Sequence, residues 1–172
     1  NVHEELKHFI GNPSQTAATE LRLTARERLE SAYAFEKHRE QNLAKAIKLY
    51  KTALNNEVGD TDPMTWLELG YAYAYLKEFD NALNAFQRAD QYSIKGVSVN
   101  YKIKNQALYN IAMIHTSNKN LKSAYSQIKE VIDSKQDYDN SSLILKGINE
   151  ILLGYEQEGI SQIKIGLNES PE

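Results

Sequence analysis

Apolar residues recur along this chain at helical spacing. Trp66, Leu69, Gly70 and Tyr73 lie at i, i+3, i+4 and i+7. After a polar turn, Ala82, Phe86 and Ala89 continue on one face of a second segment. That period predicts a pair of amphipathic helices rather than strands. The small-x3-large-x2-small spacing of the second segment recurs upstream at Ala46, Tyr50 and Ala53. It recurs downstream at Ala124, Ile128 and Val131, and again at Gly159, Ile163 and Gly166. Placed in register, four helix pairs start near 27, 63, 105 and 140, with steps of 36, 42 and 35. The eight predicted helices span roughly 22–39, 42–55, 63–76, 79–92, 105–117, 121–134, 140–153 and 156–168. Asp62-Pro63 is a helix start, an Asx residue before a first-turn proline. Asn12-Pro13 has the same form and predicts that the first helix begins near Ser14 and runs long, toward Arg39. Residues 3–10, with Leu6, Phe9 and Ile10 on one side, suit a short flanking helix. The 92–104 connection carries Gly96, Val97 and Val99, which suit an extended segment.

The stretch Trp66-Leu67-Glu68-Leu69-Gly70-Tyr71-Ala72-Tyr73, followed by Ala82-x3-Phe86 and Ala89, resembles the tetratricopeptide repeat (TPR) signature. The resemblance covers 27–172 as four units. Residues 1–26 are then an N-terminal flanking helical segment. It implies an all-α fold, a right-handed TPR superhelix (α-solenoid) of antiparallel helix pairs. Small residues at positions 8 and 20 of each unit let the two helices approach, while larger ones at 4, 7, 11 and 24 fill the surrounding space. In the first unit positions 7 and 8 fall on Tyr33 and Ala34. Gly70 and Gly147 at position 8 each cost about 1 kcal/mol of helix propensity. Gly159 and Gly166 add that cost to the last helix, which is expected to be the least stable.

The resemblance further implies an inner face lined by the first helix of each unit. At those positions stand Phe35, His38 and Arg39, then Met64, Leu67, Tyr71 and Tyr75, then Tyr109 and Met113. The second unit stands out, because its first helix is apolar all round. Such a helix is either buried on both sides or meets a partner. Tyr71 and Tyr75 therefore have two readings, groove or core. A terminal-carboxylate clamp of the kind some TPR proteins use needs Lys at position 5 and Asn at position 9. Ser31 or Leu67 and Phe35 or Tyr71 stand there instead. The expected ligand is an apolar or aromatic protein or peptide segment, with Arg28, His38 and Arg39 adding an acidic preference at one end.

Bulk properties narrow the choice. The chain has 172 residues, net charge −3 and no cysteine. Disulfides, thiol catalysis and cysteine metal sites are thereby excluded. Residues 105–172 carry six basic and nine acidic groups, which opposes a phosphate-binding track. Nucleic acid is not an expected partner, and no stretch is apolar enough for a transmembrane segment. His3, His8, Glu4 and Glu5 lack the i, i+4 spacing of helical metal ligands. His115 stands at a packing position. Asp133, Asp137 and Asp139 lack the glycine and terminal glutamate of a calcium loop. No cofactor is expected. The chain opens at Asn1, which a cleaved leader or a piece of a longer protein would each explain. Its compartment, cytoplasmic or exported, is left open. The expected function is a non-enzymatic scaffold or adaptor that binds a protein segment in an aromatic-lined groove. The alternative is a self-associating repeat module, a homo-oligomer built through groove or terminal surfaces such as Ile160, Ile163, Ile165 and Leu167.

Overall fold

The structure is a computed structural model. It describes residues 15–55 and 60–168, so the segment 3–10 with its two histidines lies outside the described residues. Among the described residues, eight α-helices follow one another: α1 (Gln15–Ala34), α2 (Arg39–Leu54), α3 (Pro63–Tyr75), α4 (Phe79–Tyr92), α5 (Tyr101–Ser117), α6 (Leu121–Asp133), α7 (Asn140–Leu152) and α8 (Glu156–Gly166). They pack as antiparallel hairpins, α1 on α2, α3 on α4, α5 on α6 and α7 on α8. The chain divides between Tyr92 and Ser93 into two compact units of two hairpins each. Within the first unit α2 also packs on α3, and within the second α6 packs on α7.

The second helices keep the expected register. Ala46, Ala82 and Ala124 are fully buried, as are Tyr50, Phe86 and Ile128 four residues on and Ala89 and Val131 three beyond that. Burying each of the larger side chains contributes about 2–3 kcal/mol. At position 8, Gly70 lies under the Phe86 ring, and a Cβ there would stand 2.5 Å from the Phe86 Cε1 atom. In the last hairpin the close approach is to backbone rather than to a ring. A Cβ on Gly147 would meet the Gly159 carbonyl oxygen at 2.6 Å, and one on Gly159 would meet that of Gly147 at 2.5 Å. Gly166 stands likewise against Asn140, where a Cβ would lie 2.9 Å from the carbonyl oxygen. The glycines of α8 are therefore its contact surface against α7, and this close approach accounts for their cost in helix propensity.

Three of the four hairpins share one turn. Lys77 (φ 62°), Lys119 (φ 60°) and Gly154 (φ 99°) are left-handed at the residue after the C-cap. Glu78 N donates to Tyr73 O at 3.0 Å, Asn120 N to His115 O at 2.8 Å and Tyr155 N to Glu150 O at 2.8 Å. That is the Schellman closure, which satisfies the last free carbonyls of each first helix.

The first hairpin departs from this plan. Its α1 ends at Ala34 rather than near Arg39, and α2 begins at Arg39 behind a left-handed His38 (φ 64°). Residue 27 lies in the middle of α1. The buried face of α1 is Leu21, Ala25, Leu29 and Ala32, not Tyr33 and Ala34. The polar run from Glu36 to Gln41 contains no glycine or proline to locate the turn, which explains why it falls several residues early.

The 92–104 connection is extended over 94–99, as expected, but α5 begins at Tyr101, four residues before 105. Ile94–Lys95 (β1) pairs antiparallel with Ser98–Val99 (β2), with Gly96 (φ 60°) in the loop. A positive φ at the first residue of a two-residue hairpin loop suits glycine. Asn100 then caps α5, its Oδ1 accepting from Ile103 N at 3.3 Å.

Candidate functional site

The first unit gathers exposed aromatic rings where α1, α3 and the start of α2 meet. Tyr33, in the last turn of α1, meets Tyr75, in the last turn of α3, with ring centroids 4.5 Å apart at 52°. The Arg39 guanidinium lies over the Tyr75 ring, 5.3 Å from its centroid. Its Nε donates to the Ala32 carbonyl at 2.8 Å, so one side chain closes the end of α1 and covers a ring. Such a cation–π contact contributes about 0.5–1 kcal/mol at an exposed site. Tyr33 is 40 % exposed, Tyr75 42 % and the adjacent Phe35 67 %. The tilted ring pair and the Arg39 cation hold the two tyrosines half out of the core. Burial, followed by the nearby Tyr71, Tyr75 and Glu68, pushes the Tyr33 hydroxyl up to about 12. It stays protonated and able to donate.

Beneath the rings lies a buried ion pair between helices. Glu68 of α3 accepts from Arg26 of α1 through both Nε and Nη2, each at 2.5 Å. The second Glu68 oxygen and the Tyr50 hydroxyl are both buried and lie close together without forming a proper hydrogen bond. Burial raises the Glu68 carboxyl above the ordinary carboxylate value, more than Arg26 lowers it. Burial also raises the Tyr50 hydroxyl. The pair joins α1 to α3.

The predicted residues distribute unevenly. Tyr75 and Arg39 are brought together. Tyr71 is half-buried, its ring edge-on to Phe86 at 5.5 Å and 70°. Met64 is half-buried in the first turn of α3, and Leu67, 1 % exposed, is a core residue. His38 sits exposed in the α1–α2 turn and Arg39 opens α2, so neither belongs to the face of α1 where the spacing placed it. Tyr109 and Met113 belong to α5 of the second unit. Burial and then the nearby Asp139 raise the Tyr109 hydroxyl, which hydrogen-bonds Ser141. Met113 is 43 % exposed. Tyr33 and the Arg26–Glu68 pair are absent from the predicted set. The register set by Ala46, Tyr50 and Ala53 puts Tyr33 at a packing position, whereas α1 buries Leu29 and Ala32 and leaves Tyr33 exposed. The Glu68 pair left a weaker signal, a single acidic residue inside the apolar Trp66–Tyr73 run.

Among the described residues, no three His, Asp or Glu side chains group as metal ligands. Asp139 caps α7, accepting from Ser142 N at 3.3 Å, and Asp133 pairs with Lys129. No described helix is long and apolar enough to cross a membrane.

No family model and no curated protein matches the sequence. Among solved structures the chain is similar to the crystal structure of MamA, with a TM-score of 0.62 and 17 % identity. The match covers 90 % of this chain and 85 % of that one. Each compact unit is a pair of packed antiparallel helical hairpins. At that identity the likeness carries the fold alone. Residue roles rest on the geometry of each unit.

Proposed function

We propose that the protein is a non-enzymatic scaffold or adaptor, and that the Tyr33–Tyr75–Arg39 surface of its first unit receives an apolar or aromatic segment of a partner protein. The observation that carries this reading is the stack itself. Tyr33 and Tyr75 stay half exposed against each other with Arg39 over the Tyr75 ring, and the neighbouring Phe35 is exposed beside them. Rigid aromatic anchors of this kind dominate binding energy at protein interfaces. Phe35 adds apolar area, Arg39 favours a carboxylate beside the aromatic residue, and Tyr71 lines the edge toward Phe86. In the second unit Tyr109 and Met113 form a separate, smaller contact area on α5.

Selection of displayed peptides on the wild-type protein, with counter-selection on Tyr33→Ser/Tyr75→Ser, tests the proposal. Peptides rich in aromatic and large apolar residues should emerge and lose at least about tenfold in affinity for the variant. Peptides that bind both proteins equally would remove the surface from consideration. A second reading, self-association, is favoured by the exposure of Ile165 and Leu167, each 56 %. Light scattering over a concentration series decides it, since a constant monomer mass contradicts it.

A further inference from the structure

A second site lies in the same unit, away from the exposed tyrosine stack. Helices α2 and α4 flank α3 and leave a cleft of about 720 Å³ between them. That volume falls within the range of ligand-binding clefts. Its apolar part is built from Ile47, Leu69 and Ala85, with Trp66 and Tyr73 as aromatic walls. Lys48 and Lys51, three residues apart on α2, bring two ammonium groups to it, and Asn81 and Asn84 of α4 bring amides. The Lys51 ammonium stands 5.8 Å from the Tyr73 ring centroid, and the Arg88 guanidinium stands 5.5 Å from that of Trp66. Among the described residues no acidic side chain lines the cleft, although the chain as a whole carries −3. Neither lysine has a carboxylate within ion-pair distance among the described residues.

We propose that this cleft binds an acidic peptide segment of a partner protein, one large apolar or aromatic side chain entering between Trp66 and Tyr73 and flanking carboxylates meeting Lys48 and Lys51. Charge complementarity selects the occupant. A neutral apolar segment would leave two ammonium groups beside a desolvated contact, and a basic segment would be repelled. A nucleic acid strand would need a longer run of cations than two lysines and one arginine, and it has no use for the aliphatic floor. The site shares no residue with the Tyr33–Tyr75–Arg39 surface and does not depend on it.

The chain's only tryptophan lines the cleft, so its emission reports occupancy. The probe is a synthetic nonapeptide with a central phenylalanine and glutamates on both sides, titrated into the full chain. Controls are the same peptide with glutamine for every glutamate and a twelve-residue oligothymidylate. The glutamate peptide should give a saturable change in emission that weakens as salt rises. Binding should fall about tenfold for the glutamine peptide and for Lys48→Glu/Lys51→Glu, whose circular dichroism should match the wild type because both positions are exposed. It should be unchanged in Tyr33→Ser/Tyr75→Ser, which separates this site from the first. Equal binding of the glutamine peptide, tighter binding of the oligonucleotide, no change in emission at millimolar peptide, or full binding by the lysine variant would each overturn the proposal. So would a concentration-dependent dimer that blocks the cleft, which would identify a second copy as its occupant.

Discussion

In the first unit, the polar contact that joins the first helices of the two hairpins is charged. Arg26 of α1 meets Glu68 of α3, and one Glu68 oxygen remains without a hydrogen bond. In the second unit the corresponding contact is neutral. Asn149 of α7 donates to its own helix at Leu145 O (3.0 Å) and to the Thr116 hydroxyl of α5 (3.0 Å), and Thr116 donates back to Ala112 O (2.8 Å). The buried carboxylate of the second unit, Glu150, is paired with Lys146 one turn away on the same helix. An ion pair between helices makes loss of either partner costly and leaves the fold sensitive to pH. An amide network that satisfies its donors fixes the same spacing without titrating. The helix contacts differ as well. The first unit fits an aromatic ring over Gly70, and the second sets backbone against backbone at Gly147 and Gly159.

Alanine at the two glycines should separate these packing modes most strongly. Gly147→Ala drives a methyl into a carbonyl that cannot rotate away, and chemical denaturation should show a loss of about 3 kcal/mol. Gly70→Ala meets the edge of a ring, which can shift, and should lose about 2 kcal/mol. Equal losses would mean that the two contacts are equally yielding. Comparable in size is Arg26→Met, which leaves Glu68 buried and unpaired. Because 35 % of the Arg26 side chain is exposed, water compensates in part, and the expected loss is about 2–3 kcal/mol. Adding Glu68→Gln should recover much of it, a coupling that a double-mutant cycle measures.

The pH response sharpens the same contrast. The folded Glu68 carboxyl titrates above the ordinary value of 4.5. Its stabilising contribution is therefore complete below that value and is lost as pH rises through the higher folded value. Denaturation midpoints measured from pH 4.5 upward should carry this component in the wild type and lack it in Glu68→Gln. An unchanged profile in the variant would show that Glu68 is not its source. The smallest expected effect is a gain. Lys119 holds a left-handed conformation that glycine adopts freely, so Lys119→Gly should stabilise by about 1 kcal/mol.

Much of the fold was legible because close packing writes itself into residue size. Ala82, Phe86 and Ala89 identify one second helix, and the same spacing found Ala46, Tyr50 and Ala53 and then Ala124, Ile128 and Val131. Turns were legible only where register carried over. The steps that place units at 63, 105 and 140 also place Lys77, Lys119 and Gly154, but the same rule puts the first turn at Gln41, inside α2. Residues 36–41 are uniformly polar, so nothing local records where α1 stops, and this shift moved Tyr33 out of the predicted surface and His38 into it. Leu67 was misplaced for another reason. Helical spacing tells which residues share a face, but not which face a neighbouring helix covers.

The central claim is that the Tyr33 and Tyr75 rings form a binding surface rather than a structural contact, and thermal unfolding of Tyr33→Ser/Tyr75→Ser tests it most directly. Half-exposed stacked rings contribute about 0.5–1.5 kcal/mol through their mutual contact. The variant should therefore keep wild-type helicity and unfold only a few degrees lower. Loss of cooperative unfolding, or a drop comparable to that of Gly147→Ala, would place both tyrosines in the core and contradict the account.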